Sequence, residues 1–198
     1  MLLYDSGVSG NCYKVRLLFA QLGIDYERRE VDVIDRSDRA RLLGTLNPAL
    51  RVPTLVLDDG RSLAESNAII WHFAEDTEYL PQDRFQRAQV LQWMFFEQYS
   101  HEPYIAVLRF WLHVARRRPD PGELEARRRG AEAALQALEG HLQGREYLVG
   151  ERYSVADIAL YAYTHVAEQA GMPLQGYPAI RTWLDRVAAR PGHVPITA

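Results

Sequence analysis

The stretch Val52-Pro53-Thr54-Leu55-Val56-Leu57-Asp58-Asp59-Gly60-Arg61-Ser62-Leu63-Ala64-Glu65-Ser66 decides the fold. Thr54 to Leu57 is an apolar strand-like run, Asp58-Asp59-Gly60 has turn chemistry, and Arg61-Ser62-Leu63 resumes an extended pattern, so a β-hairpin is predicted. A helix from about Ser66 to Glu75 follows it. Pro53 has no N–H and stands directly ahead of a strand, which is where an ordinary edge proline belongs. The alternative is a cis Val52-Pro53 bond, which would turn the N–H and C=O of Val52 outward for an extended ligand to pair with as an added strand.

Working back from this stretch, Asn47-Pro48 stops a short helix over Asp38 to Leu46, and Tyr26 to Val31 reads as a strand. Cys12 to Leu22 is a helix with Val15, Leu18, Phe19 and Leu22 on one face, closed by Gly23 at its C′ position. Leu2 to Asp5 is the first strand. Working forward, 77–85 reads as a linker, and everything after it is helical. A long helix covers about Gln86 to Arg116, broken by Pro119-Asp120-Pro121-Gly122, and a second runs from Glu123 to about Leu142. Ser154-Val155-Ala156-Asp157 opens another with a hydroxyl and a carboxylate three apart, a capping-box pattern. The last helix starts after Pro178. The order βαβ, ββα and then all α predicts an α/β N-terminal domain over 1–76 and an all-α C-terminal bundle over 86–198.

Bulk properties exclude several functions. The 198 residues are 47% hydrophobic and 25% charged, ordinary for a globular protein, and the net charge of −3 gives no field to attract nucleic acid. The basic residues are almost all arginine. The triplets Arg116-Arg117-Arg118 and Arg127-Arg128-Arg129 are interleaved with Asp120, Glu123 and Glu125, which reads as a solvated helix–loop–helix corner. One cysteine, Cys12, permits no internal disulfide and suits a reducing compartment. No apolar run reaches ~18 residues, so no membrane partner is expected and a cytoplasmic location is.

Three places have residues suited to chemistry. Helix N-termini gather unpaired N–H groups and partial positive charge, which stabilise thiolates and carboxylates. Ser9-Gly10-Asn11-Cys12 opens the first helix with a hydroxyl and an amide, either of which can donate to a bound thiolate and either of which can cap the helix. The second place is the Val52-Pro53 turn. The third is Glu65-Ser66, where Ser66 with the helix N–H groups suits a ligand carboxylate and Glu65 suits a ligand ammonium. An α-amino acid end has both groups. Capping by Ser66 and dipole compensation by Glu65 are the structural alternatives.

Taken together, these motifs in this order resemble the cytosolic glutathione transferase family, with its thioredoxin-like N-terminal domain and helical second domain, over the whole chain. The resemblance implies that Val52 pairs with the cysteinyl backbone of glutathione, that Pro53 is cis, and that Glu65 and Ser66 hold the γ-glutamyl end. Arg51 stands where it can reach the glycine carboxylate, with Arg36, Arg39 and Arg41 as competitors. Asp5-Ser6-Gly7 ends the first strand where tyrosine-using members have their tyrosine. Ser9 instead matches the catalytic serine of theta-like and delta-like classes, and Ser9 with Asn11 resembles the threonine–asparagine pair of bacterial disulfide-reducing relatives. Cys12 is expected to be a buried small residue. The family further implies glutathione as co-substrate with no metal, a small electrophile against the long helix bearing Tyr99, His101, Tyr104, Arg109 and Trp111, and a C₂ homodimer. The expected activity is transfer of the glutathione thiolate to that electrophile in detoxification. The alternatives are glutathione-dependent disulfide or peroxide reduction and a non-catalytic binding or regulatory role.

Overall fold

A computed structural model describes residues 1–198. The chain forms two compact units, one of Met1–Glu75 with Pro191–Ala198 and one of Asp76–Arg190. The first is a four-stranded mixed sheet with three helices, and the second is all helical.

In the first unit the strands β1 (Leu2–Asp5), β2 (Glu27–Glu30), β3 (Thr54–Val56) and β4 (Ser62–Ala64) lie in the order β2-β1-β3-β4. β1 pairs parallel with β2 and antiparallel with β3, and β3 and β4 form the expected hairpin. Gly60 takes φ 86° in its turn, a conformation that favours glycine. β2 is exposed along its length, and its sequence Glu27-Arg28-Arg29-Glu30 is what a sheet edge tolerates without inviting further strands. Alternation along β1 divides the core. Tyr4 joins Val31, Leu43 and Val56 in one cluster, under the short helix α2 (Arg39–Leu43), while Leu3 and Leu55 are fully buried away from it. The helices α1 (Gly10–Leu22) and α3 (Ser66–Ala74) pack on each other, and Phe19 meets Phe73 edge to face at 4.7 Å.

Gly23 closes α1 in the left-handed conformation, as its position predicts. α2 is shorter than expected because the chain turns after Leu43, whose carbonyl accepts from both Leu46 and Asn47 N–H. The final segment, expected with the helical part, belongs to the first unit. The Tyr13 hydroxyl donates to the Val194 carbonyl at 2.7 Å, Arg16 donates to that of Ile196 at 2.6 Å, and Gly192 lies so close to Gln21 that a side chain there would meet backbone.

In the second unit, α4 (Arg84–Phe96) starts two residues earlier than the apolar pattern suggests because Asp83 caps it, accepting from Gln86 N–H at 2.9 Å. The long helix continues through α5 (Glu102–Arg109) but has two π-helical turns, Glu97–His101 and Phe110–Val114. The first precedes Pro103, which lacks the N–H that would close a regular turn, so the extra residue accommodates the ring. α6 (Pro121–Leu142), α7 (Val155–Thr164) and α8 (Pro178–Ala188) complete the bundle. Every residue of α7 is buried. Its capping box is complete, with Asp157 accepting from the N–H groups of Ser154 and Leu148 and from the Trp183 indole.

Candidate functional site

The loop from β1 to α1 is fixed from below by a buried ion pair. Arg16 donates to the Asp5 carboxylate at 2.6 Å and to the carbonyls of Ser6 and Gly7 at 3.3 and 3.4 Å. Arg28 approaches the other Asp5 oxygen at 2.7 Å. The loop delivers Ser9 to the N-cap of α1, half-buried, where its Oγ accepts from Cys12 N–H at 3.3 Å. Capping therefore is a real role of Ser9. It uses one lone pair of the hydroxyl and leaves the proton available to donate elsewhere. No acidic side chain in the first turn of α1 offsets the positive end of the helix dipole.

Ser66 behaves differently from the cap its position suggests. It is the first residue of α3, buried, and its hydroxyl donates to the Asn11 amide oxygen at 3.1 Å. The two helix starts that the sequence singles out separately are thus joined side chain to side chain. Glu65 precedes α3 with its side chain exposed, making no cap, and with φ 67°. A non-glycine residue costs of order 1–3 kcal/mol in that region, and such strain clusters at binding sites.

The Val52-Pro53 bond is cis. No hydrogen bond within the chain uses the backbone of Val52, which leaves its N–H and C=O available to an extended ligand. The turn is braced by Asn47, buried, whose amide donates to the Arg51 carbonyl and to Thr54 Oγ1, both at 3.0 Å. Arg39 is buried and donates to the Leu50 carbonyl at 3.1 Å. Burial, and then the neighbouring Arg36 and Arg51, push its guanidinium below the ordinary value, with Asp32 opposing the shift, so three of the four competing arginines lie near one another. Arg41 is instead paired with Asp38 at 3.0 Å. The Arg51 side chain is exposed.

Cys12 is fully buried, and burial followed by the Asp5 charge pushes its thiol up. A protonated, enclosed thiol is no nucleophile. Of the residues expected along the long helix, His101 is buried and bonded to Thr164 at 2.9 Å, Arg109 is bonded to Gln169 at 2.8 Å, and Trp111 is buried. Tyr104 packs its ring on Gly130, and only Tyr99 is fully exposed.

Two residues at the site were missed by sequence reasoning. Asn47 reads in the sequence only as a helix stop. Lys14, fully buried, donates to Ser66 Oγ at 3.4 Å and to the Asn67 amide oxygen at 3.2 Å. The available signal is a charged residue one turn before the apolar pair Leu17 and Leu18 in the first helix.

Two family profiles match the chain in tandem: "Glutathione S-transferase, N-terminal domain" over residues 8–76 and "Glutathione S-transferase, C-terminal domain" over residues 93–191. The chain belongs to the glutathione S-transferase family. A solved glutathione S-transferase from Pseudomonas fluorescens is similar at 46% identity and a TM-score of 0.93, covering 100% of this chain and 98% of that one. Among curated relatives, the disulfide-bond oxidoreductase YfcG of Escherichia coli is 28% identical over 91% of this chain and 87% of its own. Glutathione S-transferase 2 of Anopheles gambiae is also 28% identical, over 93% and 88%. The mixed sheet with its helical second unit is the glutathione transferase fold, and the relatives span more than one activity.

Proposed function

We propose that this protein binds glutathione in its first unit, lowers the pKa of the glutathione thiol, and directs the resulting thiolate at a small electrophile. The observation that carries the reading is the convergence of Ser9, Asn11 and Ser66 at two helix N-termini, with Ser66 hydrogen-bonded to Asn11 at 3.1 Å. Two ends of one ligand are addressed by side chains that touch each other.

In this reading the γ-glutamyl carboxylate sits on the N–H groups of α3 beside Ser66, and its ammonium faces Glu65. The cysteinyl backbone pairs with Val52, which Pro53 leads into β3, and the glycine carboxylate meets Arg51 within the region it shares with Arg36 and Arg39. The sulfur then lies over the start of α1, within reach of the Ser9 hydroxyl and the Asn11 amide. A hydrogen bond to a charged acceptor is worth ~1.5–3 kcal/mol, so one such donor lowers the thiol pKa by about one to two units. The thiol proton leaves to solvent, the sulfur lone pair forms the new S–C bond at the electrophilic carbon, and the leaving group on that carbon, halide in an aryl halide, departs with the electron pair of the broken bond. No metal is required by this chemistry.

A second reading is reduction of disulfides or peroxides at the expense of glutathione, favoured by the likeness to a disulfide-bond oxidoreductase. There the thiolate attacks sulfur or oxygen, and a second glutathione completes the exchange. Both readings take the protein as a cytoplasmic C₂ homodimer, to be checked by light scattering.

Calorimetric titration with glutathione, followed by parallel assays of aryl-halide conjugation and of disulfide reduction, tests the proposal. Saturable binding with conjugation the faster reaction supports the first reading, and faster disulfide reduction supports the second. Binding without either turnover points to a regulatory relative, and no binding at millimolar glutathione contradicts the proposal.

A further inference from the structure

Residues 191–198 add no helix or strand to the first unit, yet side chains of α1 and β2 hold them against it. Gly192 has φ 72°, and a Cβ added there would lie 2.9 Å from the Gln21 Cα. The Tyr13 hydroxyl donates to the Val194 carbonyl at 2.7 Å, Arg16 to that of Ile196 at 2.6 Å, and Arg28 to the backbone oxygen of Ala198 at 2.8 Å. Ile196 is buried. Arg16 and Arg28 are also the arginines that pair with the buried Asp5 carboxylate.

Arg16 stands at the centre of this arrangement and is 2% exposed. Its Nη1 donates to Asp5 Oδ1 at 2.6 Å and to the Ser6 carbonyl at 3.3 Å, and its Nη2 to the Ile196 carbonyl at 2.6 Å and to the Gly7 carbonyl at 3.4 Å. A guanidinium is planar with its N–H directions fixed, so two short bonds set where the remaining N–H groups point. Asp5 and Ile196 supply the short bonds, and the loop carbonyls take the directions left over. The Ser6 carbonyl also accepts from Ser9 N–H at 2.9 Å, and Gly7 N–H donates to the Glu30 carboxylate at 3.1 Å. Hydrogen bonds in series therefore lead from the Ile196 carbonyl, through Arg16 and the Ser6 carbonyl, to Ser9. Water in place of that carbonyl would accept from Arg16 without imposing a direction, and the plane would be set by Asp5 alone.

We propose that residues 191–198 are a strap that positions Ser9: acting through Arg16 and the Ser6 carbonyl, the strap holds the β1–α1 loop so that the Ser9 hydroxyl faces the glutathione sulfur. Arg16 and Ile196 touch no reacting atom and are positioning residues. Val52, Glu65 and Ser66 take no part in these bonds, so the strap acts on the thiol end of the ligand and leaves the γ-glutamyl end alone. A strap that only stabilised the first unit would weaken every ligand contact alike, and would do so with or without the Ser9 hydroxyl. The inference rests on the thiolate-stabilising function proposed above.

The test deletes residues 193–198 in the wild type and in Ser9→Ala, and follows the ultraviolet absorbance of bound thiolate against pH at saturating glutathione. With Ser9 present the deletion is expected to raise the thiol pKa by about one unit, roughly a tenfold loss of thiolate at a fixed pH below it. In Ser9→Ala the deletion is expected to add no further shift, because the group it aims is gone. Calorimetric affinity for S-methylglutathione, which has no thiol, is expected to stay within about twofold. A thiol pKa unmoved by the deletion, an equal shift with and without Ser9, or a parallel loss of S-methylglutathione binding overturns the strap's role and leaves the function standing. Absence of bound thiolate in the wild type overturns both.

If the shortened chain does not fold, the full chain supplies a second measurement. An ester in place of the amide between Ile196 and Thr197 makes the Ile196 carbonyl a weaker acceptor and removes only the Thr197 N–H, which no hydrogen bond within the chain uses. The thiol pKa is expected to rise in this chain and to hold when the ester is combined with Ser9→Ala. No rise, or the same rise in the combined variant, contradicts the strap.

Discussion

Replacing Ser9 with Ala separates two jobs done by one oxygen. As N-cap, Ser9 accepts from Cys12 N–H at 3.3 Å, a long bond at a half-buried position, so its loss is expected to cost about 1 kcal/mol of stability within the usual range of ~0.5–2. As thiolate donor, the same hydroxyl supplies a charge-assisted bond of ~1.5–3 kcal/mol, and its loss is expected to raise the bound thiol's pKa by about one to two units. The effects are read by different assays. Urea unfolding without ligand measures the first, and thiolate absorbance against pH at saturating glutathione measures the second. Ser9→Thr, which keeps the hydroxyl, is expected to stay within about half a pH unit of wild type while sharing little of the stability loss. A stability loss of about 1 kcal/mol with no movement of the thiol pKa would show that Ser9 caps α1 and does nothing more.

Other consequences can be measured independently. Arg51→Ala is expected to weaken glutathione binding about fivefold, corresponding to ~1 kcal/mol for an exposed ion pair, while leaving γ-glutamylcysteine, which lacks the glycine carboxylate, nearly unaffected in calorimetry. Burial pushes the Asp157 carboxyl up from 3.8 to about 6, so between those values the folded chain retains a proton that the unfolded chain gives up. Unfolding free energy from this group therefore falls as pH rises through that window, by up to ~3 kcal/mol. Denaturation of Asp157→Asn at pH 4 and pH 7 is expected to lack that component, whatever the cost of its disrupted capping box. Glu139 on α6 accepts from the N–H groups of Ala179 and Ile180 in the first turn of α8, so Glu139→Ala is expected to cost about 1–2 kcal/mol in urea unfolding.

The features legible in the sequence are those fixed by neighbours a few positions away. The Asp58-Asp59-Gly60 turn, the Gly23 helix stop and the Ser154–Asp157 box rest on bonds spanning two to five residues, and each forms where the pattern predicts. The three places suited to chemistry could be named for the same reason, since helix starts and proline turns are local. Their assembly was not legible. Ser66 reaches Asn11 across 55 positions and Lys14 across 52, and no periodicity encodes such contacts. The return of residues 191–198 to the first unit likewise depends on Tyr13 and Arg16 meeting backbone carbonyls some 180 residues away. The π-helical turns escaped because a 3.6-residue period survives a single extra residue at each of two places in a long helix. One signal is present in the sequence: a lone lysine among arginines, in the first helix.

On the proposed function, the glutathione sulfur comes to rest at the start of α1 as an anion. A crystal structure with glutathione bound, at a pH where the thiolate absorbs, tests this most directly. The sulfur is expected within ~3.5 Å of Ser9 Oγ or of Asn11 Nδ2, with the γ-glutamyl carboxylate on the first turn of α3 beside Ser66. Glutathione bound with its sulfur directed away from both side chains, or bound nowhere near α1 and α3, would contradict it.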